Sequence, residues 1–250
     1  MPALLEVMEL TKVFGGLRAN DGISFTVGAG EILGLIGPNG AGKTTLFHCI
    51  TGFHRPERGT VRFDGRDVTG LPPHRIARLG MARTFQTYVA GGDLTVLETA
   101  MVGCFSRTAS PFRARSRARE ILGFLGLAGL ADLPIRDLPV AGQKKVALAT
   151  ALGTEPKLLL LDEVAAGLNP GEIGELMDAI RHVHEERGVT LIVIEHVMEL
   201  VMNLSDRVLV LDSGRLIAQG LPHEVAHDPA VIRAYLGEKY AARYLGEASR

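Results

Sequence analysis

The sequence predicts an α/β fold: a strand–helix core with an antiparallel β subdomain near its start and a helical subdomain inserted in its middle. Three observations carry this. Apolar runs at 32–36 (ILGLI), 158–161 (LLLL) and 189–194 (VTLIVI) read as strands buried on both faces, as in parallel sheets. Helical stretches follow these strands, the alternation typical of α/β proteins. Residues 95–152 lack β-branched runs and read as helices, which marks a section of different character.

Taken in order, residues 4–11 and 22–27 alternate apolar with polar side chains, the period-two pattern of half-buried strands. The strand at 32–36 comes next, then a helix over 43–52. Residues 59–63 form a strand that turns at Asp64-Gly65, a hairpin dipeptide. Pro72-Pro73 opens a short helix at 74–79, because proline suits a first helical turn. Turns near Ser110-Pro111 and 132–134 divide the helical section. Residues 157–162 (KLLLLD) return to strand, 171–187 make a long helix, and the strand at 189–194 leads to another. Residues 207–212 and 215–218 pair around Ser213-Gly214, and the chain is helical from about His223. The expected organisation is one domain over 1–250, with a core from 1–86 and 153–250 and a helical subdomain at 87–152. No internal repeat or low-complexity segment is present.

Composition narrows the classes. A chain of 250 residues, 46% hydrophobic and 22% charged, suffices for a substantial core. A formal net charge of −1 argues against a general nucleic-acid binder, so no nucleic-acid partner is expected. Cys49 and Cys104 are too few for a disulfide framework and suit a reducing compartment. The opening MPALLEVMEL lacks the basic region and apolar core of a signal peptide. No run of about 18 apolar residues exists, so any membrane role is expected to go through a partner.

The strand at 32–36 runs into GPNGAGKTT at 37–45: Gly37, Pro38, Asn39, Gly40, Ala41, Gly42, Lys43, Thr44 and Thr45. Gly37, Gly42, Lys43 and Thr44 meet the pattern G-x-x-x-x-G-K-[ST]. Glycines let the backbone curl so that several N–H groups point at one anion, and the following helix adds its positive dipole end. Lys43 is expected to neutralise the β- and γ-phosphates of a nucleoside triphosphate, and Thr44 to offer its hydroxyl to Mg2+.

The second site follows four leucines. Asp162 and Glu163 lie at the carboxyl end of a buried strand, where open α/β sheets place their ligands. Asp162 is placed to hold Mg2+ through its water shell, and Glu163 to polarise an attacking water as general base. Gln86 follows Ala82-Arg83-Thr84-Phe85 at the border of the helical section, where an amide serves Mg2+ or the water. His196 ends the strand at 191–195 and is a candidate to hold the γ-phosphate.

Together these sites resemble the nucleotide-binding subunits of ABC transporters, in the right order across nearly the whole chain. The resemblance implies a P-loop ATPase core, ATP and Mg2+ as cofactors, a glutamine loop at Gln86 and a switch histidine at His196. Ala166-Gly167-Leu168-Asn169 resembles the loop that usually reads SALD. Phe14 matches the aromatic residue that stacks on adenine in this family. LTKVFGGLRAND, ARTFQ, LLLLDEVAAGLNP and DPAVIRAYLG are similar to the branched-chain amino acid importer subgroup, which also takes up urea, short amides and aromatic or cyclic acids.

One segment departs from the family. Where LSGGQ is expected, the chain reads Leu138-Pro139-Val140-Ala141-Gly142, then Gln143. In the family this segment contacts the γ-phosphate held by the opposite subunit, so the loss of serine puts that trans contact in doubt. Proline is tolerated in a helix's first turn, so the helix and its dipole survive. Arg107, Arg113, Arg115, Arg117 and Arg119 form a basic cluster, read as a solvated helix face or a contact with headgroups or acidic loops of a membrane partner.

The resemblance implies a homodimer, or a heterodimer with a related subunit, sandwiching two ATP molecules on the cytoplasmic side of the inner membrane. It also implies two permease subunits and, indirectly, a substrate-binding protein. A soluble ABC ATPase acting on nucleic acid or the ribosome is the alternative, opposed by the single cassette and the charge of −1. A P-loop kinase is a further rival, opposed by Glu163, His196 and the helical middle.

Overall fold

Within the residues that the computed structural model describes, 3–84, 93–195 and 197–237, the chain divides into two units. The first comprises Met1–Pro73 and Ile192–Arg250, the second His74–Leu191.

In the first unit, strands β1 (Ala3–Phe14) and β2 (Leu17–Gly28) form an antiparallel hairpin closed at Gly15-Gly16. This hairpin is longer than the alternating pattern predicts. Glu9 adopts φ 50°, and the register shifts between Val7 and Leu10, so the period of two breaks within a continuous strand. Helix α1 is Lys43–Ile50, and β4 (Arg58–Phe63) pairs with β1 and turns at Asp64-Gly65 into β5 (Arg66–Asp67), following β3 (Ile32–Ile36) in the chain. The sheet order is β2-β1-β4-β5. Leu5, Val7, Ile23, Val27, Val61 and Phe63 supply its buried face.

Every residue of β3 is buried, which explains its unbroken apolar run. Strand β3 lies parallel to β9 (Arg207–Asp212), with Leu35 beside Leu209, and β9 turns back antiparallel into β10 (Arg215–Gly220). The C-terminal helical stretch consists of two helices, α8 (Pro222–Ala226) and α9 (Pro229–Leu236). Asp228 starts the second, its carboxylate accepting from Ala230 N–H at 2.7 Å with Pro229 in the first turn.

The second unit holds α2 (Pro73–Leu79, from His74 onward), β6 (Met81–Arg83), α3 (Val96–Cys104), α4 (Pro111–Phe124), α5 (Val140–Gly153), β7 (Leu158–Asp162) and α6 (Pro170–Arg187). Strand β8 (Thr190–Ile194) carries the chain back to the first unit, and α7 (Met198–Leu204) follows it. Helix starts obey local chemistry. Thr95 and Glu98 form a reciprocal capping box on α3, and Asn169 and Glu172 do the same on α6. Helices α3 and α5 meet backbone to backbone: a Cβ on Gly103 would lie 1.8 Å from the Thr150 carbonyl oxygen. Ala114, Ala118, Ile121 and Leu122 bury one face of α4, which turns its arginines outward.

Candidate functional site

In the first unit, β3 delivers the chain into the loop at 37–45. Gly37 has φ 152°, and a Cβ there would lie 2.1 Å from the Leu211 carbonyl oxygen of β9. Gly42, at φ 98°, is the N-cap of α1, and a Cβ on it would meet the Ala19 carbonyl oxygen at 2.2 Å. Buried Asn20 donates from its side-chain amide to the Gly42 carbonyl at 3.1 Å. Ala41 N–H donates to Pro38 O and its carbonyl accepts from Gly214 N–H, each at 3.1 Å, which ties the loop to the turn after β9. Asn20 and Gly214 were not legible as loop supports, being a polar residue in a strand and a turn glycine.

The N-terminus of α1 has no side-chain cap and no acidic residue in its first turn. Its N–H groups and dipole therefore favour an anion. Lys43 is only 5% exposed, and its ammonium donates to the carbonyls of Gly37 at 2.7 Å and Pro38 at 3.1 Å. Those bonds hold a buried cation inside the curl of the loop. Asn39, Gly40 and Thr44 are exposed, and Thr45 is half-buried. Phe14, at the tip of the β1–β2 hairpin, is 44% exposed, with its ring edge against His54 and the Lys12 ammonium 5.0 Å from its centroid. Tyr235 of α9 reaches the Gly37 backbone. Burial pushes its phenol above the usual range, and the hydrogen bond from Gly37 opposes that rise.

In the second unit, β7 buries Leu158 through Leu161 completely and ends on Asp162, 2% exposed. Arg83, the last residue of β6, donates from Nη2 to Asp162 Oδ2. Asp162 N–H donates to Thr84 Oγ1 at 3.3 Å. The other carboxylate oxygen, Oδ1, is buried with no hydrogen-bond partner among the described residues. A buried, unsatisfied carboxylate oxygen fits a hard divalent cation and its water shell, which is the chemistry expected of Asp162. Glu163 follows with φ 49°, a left-handed conformation costly for a residue with a Cβ and frequent at functional sites. Its carbonyl accepts from Lys144 Nζ at 3.5 Å, and its side chain is half-buried.

Helix α5 starts at Val140, with Pro139 as an exposed N-cap in extended conformation and no side-chain cap. Ala141 and Gly142 are half-buried in its first turn, and Val140 is exposed. Gln143 folds back, its amide donating to Leu138 O at 3.0 Å. The arginine cluster separates into distinct roles. Arg107 donates to Thr154 O at 2.6 Å and Arg78 O at 3.1 Å, closing the ends of two helices. Arg117 pairs with Glu120 and Glu155, while Arg113, Arg115 and Arg119 are exposed. Gln86 and His196 lie outside the described residues.

A strand running into a glycine-curled loop and an uncapped helix, together with a second buried strand ending in two acids, defines a P-loop nucleotide-binding protein. The family model described as ABC transporter matches residues 20–166. A second model, described as branched-chain amino acid ATP-binding cassette transporter, matches residues 215–241. The high-affinity branched-chain amino acid transport ATP-binding protein BraF of Pseudomonas aeruginosa is 39% identical, covering 94% of this chain and 98% of its own. LivG of Escherichia coli, named in the same way, is 41% identical with the same coverage. Among solved structures, the ADP conformation of MJ1267, an ATP-binding cassette of an ABC transporter, is similar with a TM-score of 0.87 and 33% identity, covering 95% of this chain and all of that one. The chain belongs to the ABC transporter family, as one of its ATP-binding, ATP-hydrolysing subunits, and within it to the branched-chain amino acid subgroup. The nucleic-acid or ribosome alternative finds no support in these likenesses. Among the described residues, no helix is long and apolar enough to cross a membrane.

Proposed function

We propose that this chain energises an importer of branched-chain amino acids or related small amides and acids. In this reading it works as a dimer, with itself or with a related subunit, on the cytoplasmic face of the inner membrane beneath two permease subunits served by a substrate-binding protein. The transport names of BraF and LivG support the solute class and the permease partners. The observation that carries the nucleotide role is the uncapped start of α1 beside the buried Lys43 ammonium.

Each residue has a part. Phe14 stacks on the adenine, and the backbone N–H groups of 40–45 hold the phosphates. Lys43 shifts its donors from the Gly37 and Pro38 carbonyls to phosphate oxygens. Thr44, Asp162 and Gln86 would hold Mg2+, which when bound supplies positive charge to the β- and γ-phosphates. Glu163 accepts a proton from the attacking water, and His196 holds the γ-phosphate. The Pro139–Gly142 turn presents its backbone N–H groups to the nucleotide of the opposite subunit, with no N–H from Pro139 itself.

Replacing Lys43 with alanine tests this reading. The substitution removes the point charge for the phosphates. The expected result is loss of ATP hydrolysis in the complex with permease subunits, with the fold retained by circular dichroism. A near-parental hydrolysis rate would remove the phosphate-loop assignment.

A further inference from the structure

Arg83 has no part in the reaction described above, yet its side chain is 5% exposed and its guanidinium donates to Asp162 Oδ2. Strand pairing brings the two together. Met81, Ala82 and Arg83 of β6 lie in parallel register beside Leu158, Leu159 and Leu160 of β7. Thr84 fastens the same corner twice, donating its N–H to Leu160 O at 2.9 Å and accepting from Asp162 N–H. One oxygen of the buried carboxylate therefore faces a fixed cation, while Oδ1 has no hydrogen-bond partner among the described residues.

We propose that Arg83 is a positioning residue for the metal: it is the resting counter-ion of Asp162, and it weakens the site's hold on Mg2+ so that the cation is retained only together with nucleotide phosphates. An isolated carboxylate buried this deeply is costly, and the guanidinium offsets that cost before the metal arrives. Once Mg2+ approaches Oδ1, the guanidinium becomes a like charge at close range in a poorly screened place. Asp162 then offers a divalent cation less net attraction than an unpaired carboxylate would, and the phosphates must supply the remainder.

This inference rests on the nucleotide-site reading, so the experiment separates the two. ADP binding to the full chain is measured in EDTA, and Mn2+ binding to the ADP-saturated chain by electron paramagnetic resonance. Arg83→Gln keeps a donor for Asp162 and removes the charge. Its Mn2+ dissociation constant is expected to fall about three- to tenfold, with ADP affinity in EDTA unchanged. Arg83→Lys keeps the charge and is expected to bind Mn2+ like the parent. A structural role alone would lower the melting temperature and leave Mn2+ affinity unmoved. Unchanged or weaker Mn2+ binding by Arg83→Gln overturns the proposal. Failure of the parent to bind ADP in EDTA would instead overturn the nucleotide site. Should Arg83→Gln not fold, the Arg83 Nε–H resonance of the parent decides: it must shift when Mg2+ joins the ADP complex, and a stationary resonance overturns the proposal.

Discussion

For Phe14, exposure bears on which of two roles a single residue takes. An aromatic side chain at a strand end serves equally well as core or as a stacking surface, and at 44% exposure this one contributes little to the core. Phe14→Ala is expected to weaken ATP binding by about 1–3 kcal/mol, by analogy with base stacking elsewhere. Binding of inorganic phosphate analogues and the melting temperature should be unchanged, because the ring is 44% exposed at the hairpin tip, edge-on to His54 and near the Lys12 ammonium. Equal loss of ATP and phosphate binding with a lower melting temperature, measured by calorimetry, would return Phe14 to the core. The loop residues 37–45 and the acids Asp162 and Glu163 were legible as candidates because their chemistry is local. Their supports were not: Asn20, Arg83, Gly214 and Tyr235 act on residues far away in the chain, and no local pattern marks such partners.

At the scale of the element, α5 is the segment where the chain leaves its family's pattern. Pro139 occupies the N-cap, where serine is preferred, and no side chain caps the helix. Pro139→Ser would let a hydroxyl accept from the first-turn N–H groups while its own O–H remains free to donate to a phosphate. A charge-assisted bond of that kind contributes about 1.5–3 kcal/mol. The serine variant is therefore expected to dimerise at lower ATP concentration than the parent, measured by light scattering in a Glu163→Gln background. An unaltered or weaker dimer would mean that proline's rigidity outweighs the missing hydroxyl. Element types were legible from apolar runs and periods and from turn residues such as Asp64-Gly65 and Pro72-Pro73. Strand limits were not, since the left-handed Glu9 shifts the register within β1 and hides the hairpin's true length.

At the scale of the molecule, the proposed cycle requires that closed dimers wait on hydrolysis. Glu163→Gln keeps the left-handed backbone position as readily as glutamate does, but an amide takes no proton from water. Hydrolysis should fall by about 10²–10⁴-fold, the usual worth of a general base. ATP binding should persist, and dimers should accumulate on gel filtration with ATP and disappear without it. Unchanged turnover would move the general base elsewhere, with His196 the next residue to test.

The sequence by itself determined what depends on neighbours in the chain. These are the glycine curl ahead of Lys43, the all-leucine strand ending in Asp162 and Glu163, the Asp64-Gly65 turn, and the order of sites that resembles the family. Only the tertiary structure decided which distant groups meet. It placed Arg83 against Asp162, and so revealed that the carboxylate expected to serve a metal already has a counter-ion. It packed Gly37 against Leu211 and Gly103 against Thr150, contacts that admit no Cβ. The physical reason is common to both. Backbone turns and helix starts are governed by short-range sterics and hydrogen bonds, whereas charge pairing and close packing depend on strand register and helix contact, which form only when the whole chain folds.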